Sequence, residues 1–334
     1  MTTTEATLAP PRRKRRWRRR VLYVIAFLFL AVNFVAFMHA WRMTHMVDAG
    51  VRTATPAQLS TFGKIKIFFT GVNVPKPVNR RVPDLPFTAH RYQTPDGETL
   101  EAWHIPADQA QRRDATIVIF HGYTAAKSAM LMQAKLFHSL GFDVFLVDFR
   151  GAGGSTGQVT TVGGKESIDV KASVDFLRAS NLITSTLVLY GDSMGAAAIT
   201  RAVAVDGVQA DALILEQPYN SLYTTTKHRF ESMGVPSFPL AGLLVFWGGV
   251  QNGFWAFDLC PREYASHITC PTLYIRGDHD PWITLDESQQ VFDAIQGRKE
   301  LLTIQTNRHD ALWPREKDKW VGAVKDFLDT IPQK

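Results

Sequence analysis

Cysteine is scarce. The 334-residue chain has two, Cys260 and Cys270. That is too few for a disulfide scaffold, and no Cys/His spacing of the metal-binding kind occurs, so no metal site is expected. Two readings of the pair stay open: a bridge outside the cytoplasm, or two small buried hydrophobes. No N-x-S/T sequon occurs, which favours a bacterial periplasm over a eukaryotic lumen. Internal repeats are absent, and low complexity is confined to one basic run. Basic surface is also missing from the body of the chain. The net charge is +6, yet residues 12–20 alone hold eight Lys/Arg, with Glu5 the one acid before them. Beyond residue 20, 29 basic residues face 30 acidic ones, and no nucleic-acid-binding face is expected.

Charge is missing altogether from Val21 to Trp41, a run of 21 residues without Lys, Arg, Asp or Glu. A helix of that length rises roughly 30 Å, the thickness of a bilayer core. Tyr23 and Trp41 sit near its ends, where amphipathic rings favour the interface. The eight preceding cations place the N-terminus in the cytoplasm and the remainder on the other side, with a bacterial inner membrane facing the periplasm favoured. A cleaved signal peptide is the competing reading. Its apolar run is shorter, about 7–15 residues, and no good A-x-A site follows here. The expected organisation is a basic cytoplasmic tail (1–20), a transmembrane anchor (21–41), a membrane-proximal stalk (42–86) and one large domain (87–334). The stalk reads as irregular apart from Phe62, Ile65, Ile67, Phe68 and Phe69. That cluster would lie on the membrane surface or, preferably, dock on the domain.

From residue 87 the pattern is regular. HRYQT and TLEAWHI flank the Asp96-Gly97 turn as a hairpin. The runs 116–120, 143–149, 186–190, 212–216, 272–275 and 301–304 are short and almost wholly apolar. They alternate with helical stretches near 126–140, 164–180, 195–205, 285–296 and 316–330. Strands buried on both faces need such runs, and the alternation implies βαβ crossovers. The fold class is therefore α/β, a mostly parallel sheet flanked by helices, with functional loops at the carboxyl ends of the strands.

G-x-S-x-G occurs twice, at Gly191–Gly195 around Ser193 and at Gly153–Gly157 around Ser155. Ser193 follows a strand directly and opens an Ala-rich helix, so the elbow is assigned there, with Gly191 and Gly195 as its glycines and the Met194 N–H aimed at a developing oxyanion. Ser155 lies in a Gly-rich loop with no helix after it. The same loop lacks the third glycine of a dinucleotide fingerprint, and that reading is rejected. A serine hydroxyl needs a base, and the base needs a carboxylate to hold its tautomer. In strand–elbow–helix enzymes the chain order is Ser, acid, His. His309 follows the last strand. Asp278 and Asp280 both follow the one before it, and Glu216 is a further reserve acid. The second oxyanion donor is assigned to the Tyr123 N–H, in the loop His121-Gly122-Tyr123-Thr124. His121 precedes the serine and is given a structural role.

FHGYTAAK, DFRGAGGSTG, YGDSMGAAA, RGDHDPWIT and NRHDALW, in that order, resemble an α/β-hydrolase. They are most similar to the membrane-anchored branch of BEM46-like and ABHD-type hydrolases, related to serine aminopeptidase-like and monoacylglycerol-lipase-like domains. The resemblance covers about residues 87–332. It implies an α/β-hydrolase fold with a short cap and no cofactor. In that branch the acid stands three positions after the glycine ending the penultimate strand, which maps it from Gly277 to Asp280. Arg308 departs from the small residue usual before the histidine, and would alter the rim of the site.

Residues 232–257 carry no charge and could pass for a second span. A span there would put Ser193 and His309 on opposite sides of the membrane, so the segment is read as part of a cap at about 218–268. The expected activity is hydrolysis of carboxylic esters or thioesters, of lipid-like acyl groups, through an acyl-Ser193 intermediate. A membrane-tethered serine (amino)peptidase is the first alternative. It would need a polar or acidic anchor for an amine near the cap, and 232–257 offers no acid. A non-catalytic hydrolase-fold binding module is the second, and would be expected to have lost one of these parts.

Overall fold

The computed structural model describes residues 12–50, 53, 59–183 and 185–332. Its strands are β1 (Thr88–Gln93), β2 (Thr99–Ile105), β3 (Ala115–Phe120), β4 (Asp143–Asp148), β5 (Thr186–Asp192), β6 (Ala212–Glu216), β7 (Thr272–Gly277) and β8 (Lys299–Ile304). The helices are α1 (Arg12–Thr44), α2 (Thr61–Thr70), α3 (Leu131–Ser139), α4 (Glu166–Ala179), α5 (Met194–Ala204), α6 (Leu222–Ser232), α7 (Leu240–Asn252), α8 (Pro261–Ala265), α9 (Leu285–Ala294) and α10 (Lys317–Asp329).

All eight strands form one sheet in the order β1-β2-β4-β3-β5-β6-β7-β8. The β1–β2 and β2–β4 pairs are antiparallel and every other pair is parallel. β3, β4 and β6 are buried along their whole length, the reason their sequences are continuous apolar runs rather than alternating ones. Successive side chains feed opposite cores. Val118 and Phe120 join the core under α4, α5 and α9, whereas Ile117 and Ile119 join the one under α3 and α10. The expected architecture is thus present.

Strand order turns at β3. The chain moves from β3 out to β4, then back past β3 to β5. The loops after β3 and β5 therefore open beside each other at the carboxyl edge, the usual position of a site in such sheets. The cap leaves between β6 and β7 and holds α6, α7 and α8. At 13 residues α7 is too short to cross a bilayer core.

α1 is long and apolar enough to cross a membrane, a property shared by anchors and signal sequences. Residues Leu22–Leu30 present exposed apolar side chains. Further along, Ala36 and Ala40 are buried. There α7 lies on the helix: Trp247 Nε1 donates to Asn33 Oδ1 (3.2 Å), Gln251 Nε2 donates to the Phe37 carbonyl (2.8 Å), and the Phe37 and Trp247 rings meet edge to face at 5.3 Å.

The segment expected to be an irregular stalk differs in two ways. Residues 61–70 form α2, N-capped by Ser60. It rests on α1, where His39 Nε2 meets the Phe68 carbonyl and Arg42 Nε donates to the Thr70 carbonyl, and not on the sheet. Phe62 and Phe68 stay exposed, so the expected docking of this cluster on the domain does not occur. Residues 73–80 strap the Gly-rich loop instead. Lys76 Nζ donates to the Ser155 and Gly157 carbonyls, and Asn79 Nδ2 to Asp148 Oδ2. The first eleven residues of the basic tail, and 51, 52 and 54–58 of the stalk, lie outside the described residues. Cys260 and Cys270 are both free.

Candidate active site

β5 ends in a turn that only glycines permit. A Cβ at Gly191 would come within 2.5 Å of the Ala196 nitrogen, and one at Gly195 within 2.4 Å of the Phe120 carbonyl oxygen. Between them Ser193 has φ 48° and ψ −107°, a left-handed conformation that costs a β-carbon residue on the order of 1–3 kcal/mol. The Ser193 N–H donates to the Glu216 carbonyl at 2.8 Å, which pins the turn to β6. α5 begins at the next residue, so its first N–H groups face the site without intrahelical partners.

The structure brings three expected residues into one hydrogen-bonded chain. Ser193 Oγ lies 2.8 Å from His309 Nε2, and His309 Nδ1 lies 2.6 Å from Asp280 Oδ2. Asp280 is buried and accepts three more hydrogen bonds. Gln217 Nε2 donates to Oδ2 (2.9 Å), and the Trp282 and Ile283 N–H groups donate to Oδ1 (2.8 and 3.3 Å). An ionised Asp280 so held keeps the proton of neutral His309 on Nδ1 and leaves Nε2 free to accept from the serine.

The two reserve acids lie elsewhere. Asp278 Oδ1 accepts from the Thr306 N–H at 2.7 Å and faces His279, bracing β7 against the chain leaving β8. Glu216 is buried below the site and accepts from Tyr190 Oη (2.7 Å), Trp320 Nε1 (3.0 Å) and the Leu312 N–H (3.2 Å). Burial, reinforced by Asp192, pushes Glu216 up to about 7. Burial likewise pushes Asp192 up to about 6, with His309 opposing it. Arg308 is exposed at the rim, near Asp310.

The loop after β3 closes the other side. A Cβ on Gly122 would stand 3.7 Å from Ser193 Cβ. His121 is buried, and its Nε2 accepts from the Phe149 N–H (3.1 Å). The proton of the neutral ring is then on Nδ1, which donates to the Gly122 carbonyl (2.9 Å). Burial lowers the pKa of this ring and keeps it neutral. The Gly122 carbonyl and the Tyr123 N–H belong to one planar trans peptide and point opposite ways. Holding the first therefore aims the second. Among the described residues neither the Tyr123 nor the Met194 backbone N–H has a hydrogen-bond partner.

Three neighbours were not expected from the sequence. Gln217, with φ 49°, turns back from the end of β6 to reach Asp280. The Trp282 ring lies 4.8 Å from that of His309. Arg229, on α6, sits 4.3 Å over Trp282 and has no carboxylate partner among the described residues. Each meets its partner only through the fold, and no local pattern marks them. No group of three or more His, Cys, Asp or Glu that could hold a metal occurs among the described residues.

Ser155, the second G-x-S-x-G serine, is buried. Its Oγ donates to the Asp148 carbonyl (2.6 Å) and accepts from the Glu101 N–H (2.9 Å), so it is saturated by backbone.

A family model described as serine aminopeptidase, S33, matches residues 111–234. The bem46 protein of Schizosaccharomyces pombe is 28% identical over 190 residues, covering 56% of this chain and 58% of its own. The lysophosphatidylserine lipase ABHD12 of Danio rerio is 24% identical over 293 residues, covering 78% and 75%. An esterase of Pyrococcus furiosus, Pf2001, superposes with a TM-score of 0.63 at 24% identity, over 77% of this chain and 98% of that one. With the eight-stranded sheet and its carboxyl-edge site, these matches show an α/β-hydrolase fold and support an α/β-hydrolase of the BEM46/ABHD type.

Proposed function

We propose that the protein is a membrane-anchored serine hydrolase that cleaves carboxylic esters or thioesters of lipid-like acyl groups, with α1 as the anchor and the hydrolase domain on the non-cytoplasmic side. The observation that carries this reading is the chain Ser193–His309–Asp280, with contacts of 2.8 and 2.6 Å.

In the acylation step Ser193 Oγ attacks the acyl carbon while its proton passes to His309 Nε2. The imidazolium that forms is stabilised by Asp280. In this reading the carbonyl oxygen becomes an oxyanion that accepts from the Tyr123 and Met194 N–H groups, neither of which has another partner among the described residues. His309 then gives its proton to the departing alkoxide or thiolate. Water repeats the sequence: it loses a proton to His309, attacks the acyl-serine, and releases the acid as Ser193 regains its hydrogen. No redox partner or metal enters this balance.

The name of the matching family model favours a second reading, an aminopeptidase. Such an enzyme must bind a protonated amine, and a carboxylate on the rim would serve. The charged side chain that the cap lays over Trp282, beside His309, is instead Arg229, which repels ammonium. A panel of esters, thioesters and aminoacyl amides with acyl chains from acetyl to palmitoyl, given to the detergent-solubilised full chain, separates the readings. Turnover of long-chain esters or thioesters is expected. Turnover of aminoacyl amides alone would replace the ester reading with the peptidase one. For topology, a C-terminal alkaline phosphatase fusion should be active, and an inactive one would place the domain in the cytoplasm.

A further inference from the structure

A cavity lies between the end of α1, the cap and the loop before α4. Its walls include Ala40 and Met43 of α1, Leu244 and Gly248 of α7, Val162 and Leu222. The four polar side chains that line it are turned to partners of their own. Thr44 Oγ1 donates to the Ala40 carbonyl, Thr226 Oγ1 to Leu222, Asn252 Nδ2 to Gly248, and Thr161 Oγ1 to Glu166. Of these side-chain groups the Asn252 Oδ1 alone lacks a partner among the described residues, and a mainly apolar occupant is the one that fits.

Two lines of contact join this cavity to the candidate site. Tyr123, the proposed oxyanion donor, sends its hydroxyl to the Met43 carbonyl at 2.7 Å. Val162 and Leu222 pack on a cluster of Ala197, Tyr219 and Ile283 together with Trp282, which lies against His309. Ala197 stands one helical turn after Ser193 on α5. In the opposite direction the wall continues as α1 itself, whose earlier residues from Leu22 to Phe34 present an exposed apolar face.

We propose that α1 is a wall of the substrate site as well as a tether: the cavity, about 60 Å³ and so room for roughly two methylenes, takes the far end of the acyl chain of a membrane lipid, which enters from the bilayer along the α1–α7 contact and brings its carbonyl to Ser193. This proposal rests on the ester-hydrolase reading for its last step only. A chain leaving the bilayer along α1 would exchange one apolar surface for another, so the desolvation that usually opposes extraction of a lipid is avoided.

Gly248 gives the test. A Cβ there meets nothing within 4 Å, and its φ is not in the left-handed region, so a larger residue fits α7 and projects into the space. The probe is a palmitic acid analogue carrying a diazirine, crosslinked to the full-length Ser193→Ala protein in detergent and located by peptide mapping. Crosslinks are expected in 40–44 and 244–248, and Gly248→Phe should reduce them about tenfold, the loss from excluding two or more methylenes. Gly242→Phe, which adds the same bulk to α7 outside the lining, should not. In parallel, Gly248→Phe in the otherwise wild-type enzyme should lower the palmitoyl-to-acetyl ratio of kcat/KM by roughly tenfold or more. Crosslinks confined to 22–34, or unchanged by Gly248→Phe, overturn the proposal. If no ester is cleaved but the crosslinks fall in the cavity, the ester reading fails and the cavity stands. If long esters are cleaved with an unchanged ratio in Gly248→Phe, the cavity fails and the ester reading stands.

Discussion

The chain contains the same five-residue pattern twice, and the fold treats the two copies in opposite ways. Around Ser193 the backbone is strained, the hydroxyl meets an imidazole, and the nearby buried acids Asp192 and Glu216 have no cation against them. Around Ser155 the hydroxyl is saturated by two backbone groups, and the buried acids Asp148 and Asp169 each face a cation. Lys127, fully buried, pairs with Asp148 and with Glu101 (2.9 Å), while Arg150 bonds Asp169 and Asp96. Lys127 and its hydrogen bonds hold Asp148 below the usual carboxylate range despite burial, and Arg150 brings Asp96 down to about 2. Structural regions match their charges because an unmatched buried charge costs several kcal/mol. Where charges are left unmatched, some other demand on the residues outweighs that cost.

The sharpest break of this contrast is labelling by a fluorophosphonate. Ser193→Ala should abolish it, whereas Ser155→Ala should keep it. Equal labelling of Ser193→Ala and wild type would remove Ser193 from the mechanism. Ser155→Ala should act on stability instead. It leaves the Asp148 carbonyl and the Glu101 N–H without their partner, at a cost of about 1–3 kcal/mol. A melting midpoint unchanged by Ser155→Ala would mean that the hydroxyl does not hold the loop.

Next in size is the contrast between the two aspartates after β7. Asp280→Asn should lower kcat by roughly 10³–10⁴, since an amide can present an N–H to His309 Nδ1 and stabilise the wrong tautomer. Asp278→Asn should cost under about tenfold, because Asp278 braces a loop and does not touch the imidazole. Similar losses in the two variants, measured as kcat on one ester, would undo the distinction.

That pair also marks where sequence reasoning reaches its end. Asp278 and Asp280 sit two residues apart after the same strand, and composition treats them alike. Only the resemblance to a family placed the acid at Asp280. The physical discriminator is three-dimensional: Gln217 and the Trp282 and Ile283 N–H groups converge on Asp280. The sheet was far more legible. The strands β3 to β7, buried on both faces almost throughout, leave continuous apolar runs, and those runs, with that of the half-buried edge strand β8, coincide with the observed strands within two residues. Ser193 and His309 were legible for a related reason, since each follows such a run directly. α2 was not, although Phe62, Ile65 and Phe69 recur at helical spacing. Prolines at 56, 75 and 77 flank it, and its partner is α1 rather than the core, so burial left no mark on its composition. Arg229 was invisible because its role depends on Trp282, 53 residues later.

The smallest expected effect separates the two regions by pH. A carboxyl whose pKa is higher folded than unfolded binds its proton more tightly in the native state. The stability it contributes is present below the unfolded value, near 4, and is lost as pH rises through the folded one. Glu216 and Asp192, pushed up by burial to about 7 and about 6, therefore make the elbow region lose stability between pH 5 and pH 8. Most of the Ser155 region behaves in the opposite sense, although burial pushes Asp169 up to about 7 against Arg150, so that this one acid sides with Glu216 and Asp192. Asp148, Asp96 and Glu101 are held low, so their contribution is present above pH 4 and is lost only as pH falls through those lowered values. The melting midpoint of the wild type should accordingly drop by a few degrees from pH 5 to pH 8, at about 2–4 °C per kcal/mol for a domain of this size. Glu216→Gln keeps the shape and removes the charge. It should melt lower than wild type at pH 5, having traded an acceptor for an amide facing the Leu312 N–H, yet show a smaller pH-dependent drop, with Asp192 and Asp169 supplying the remainder. A purely structural role for Glu216 would lower the midpoint equally at both pH values, so parallel pH profiles of the two proteins would show that the unmatched acids under Ser193 are not what sets them apart from the matched ones around Ser155.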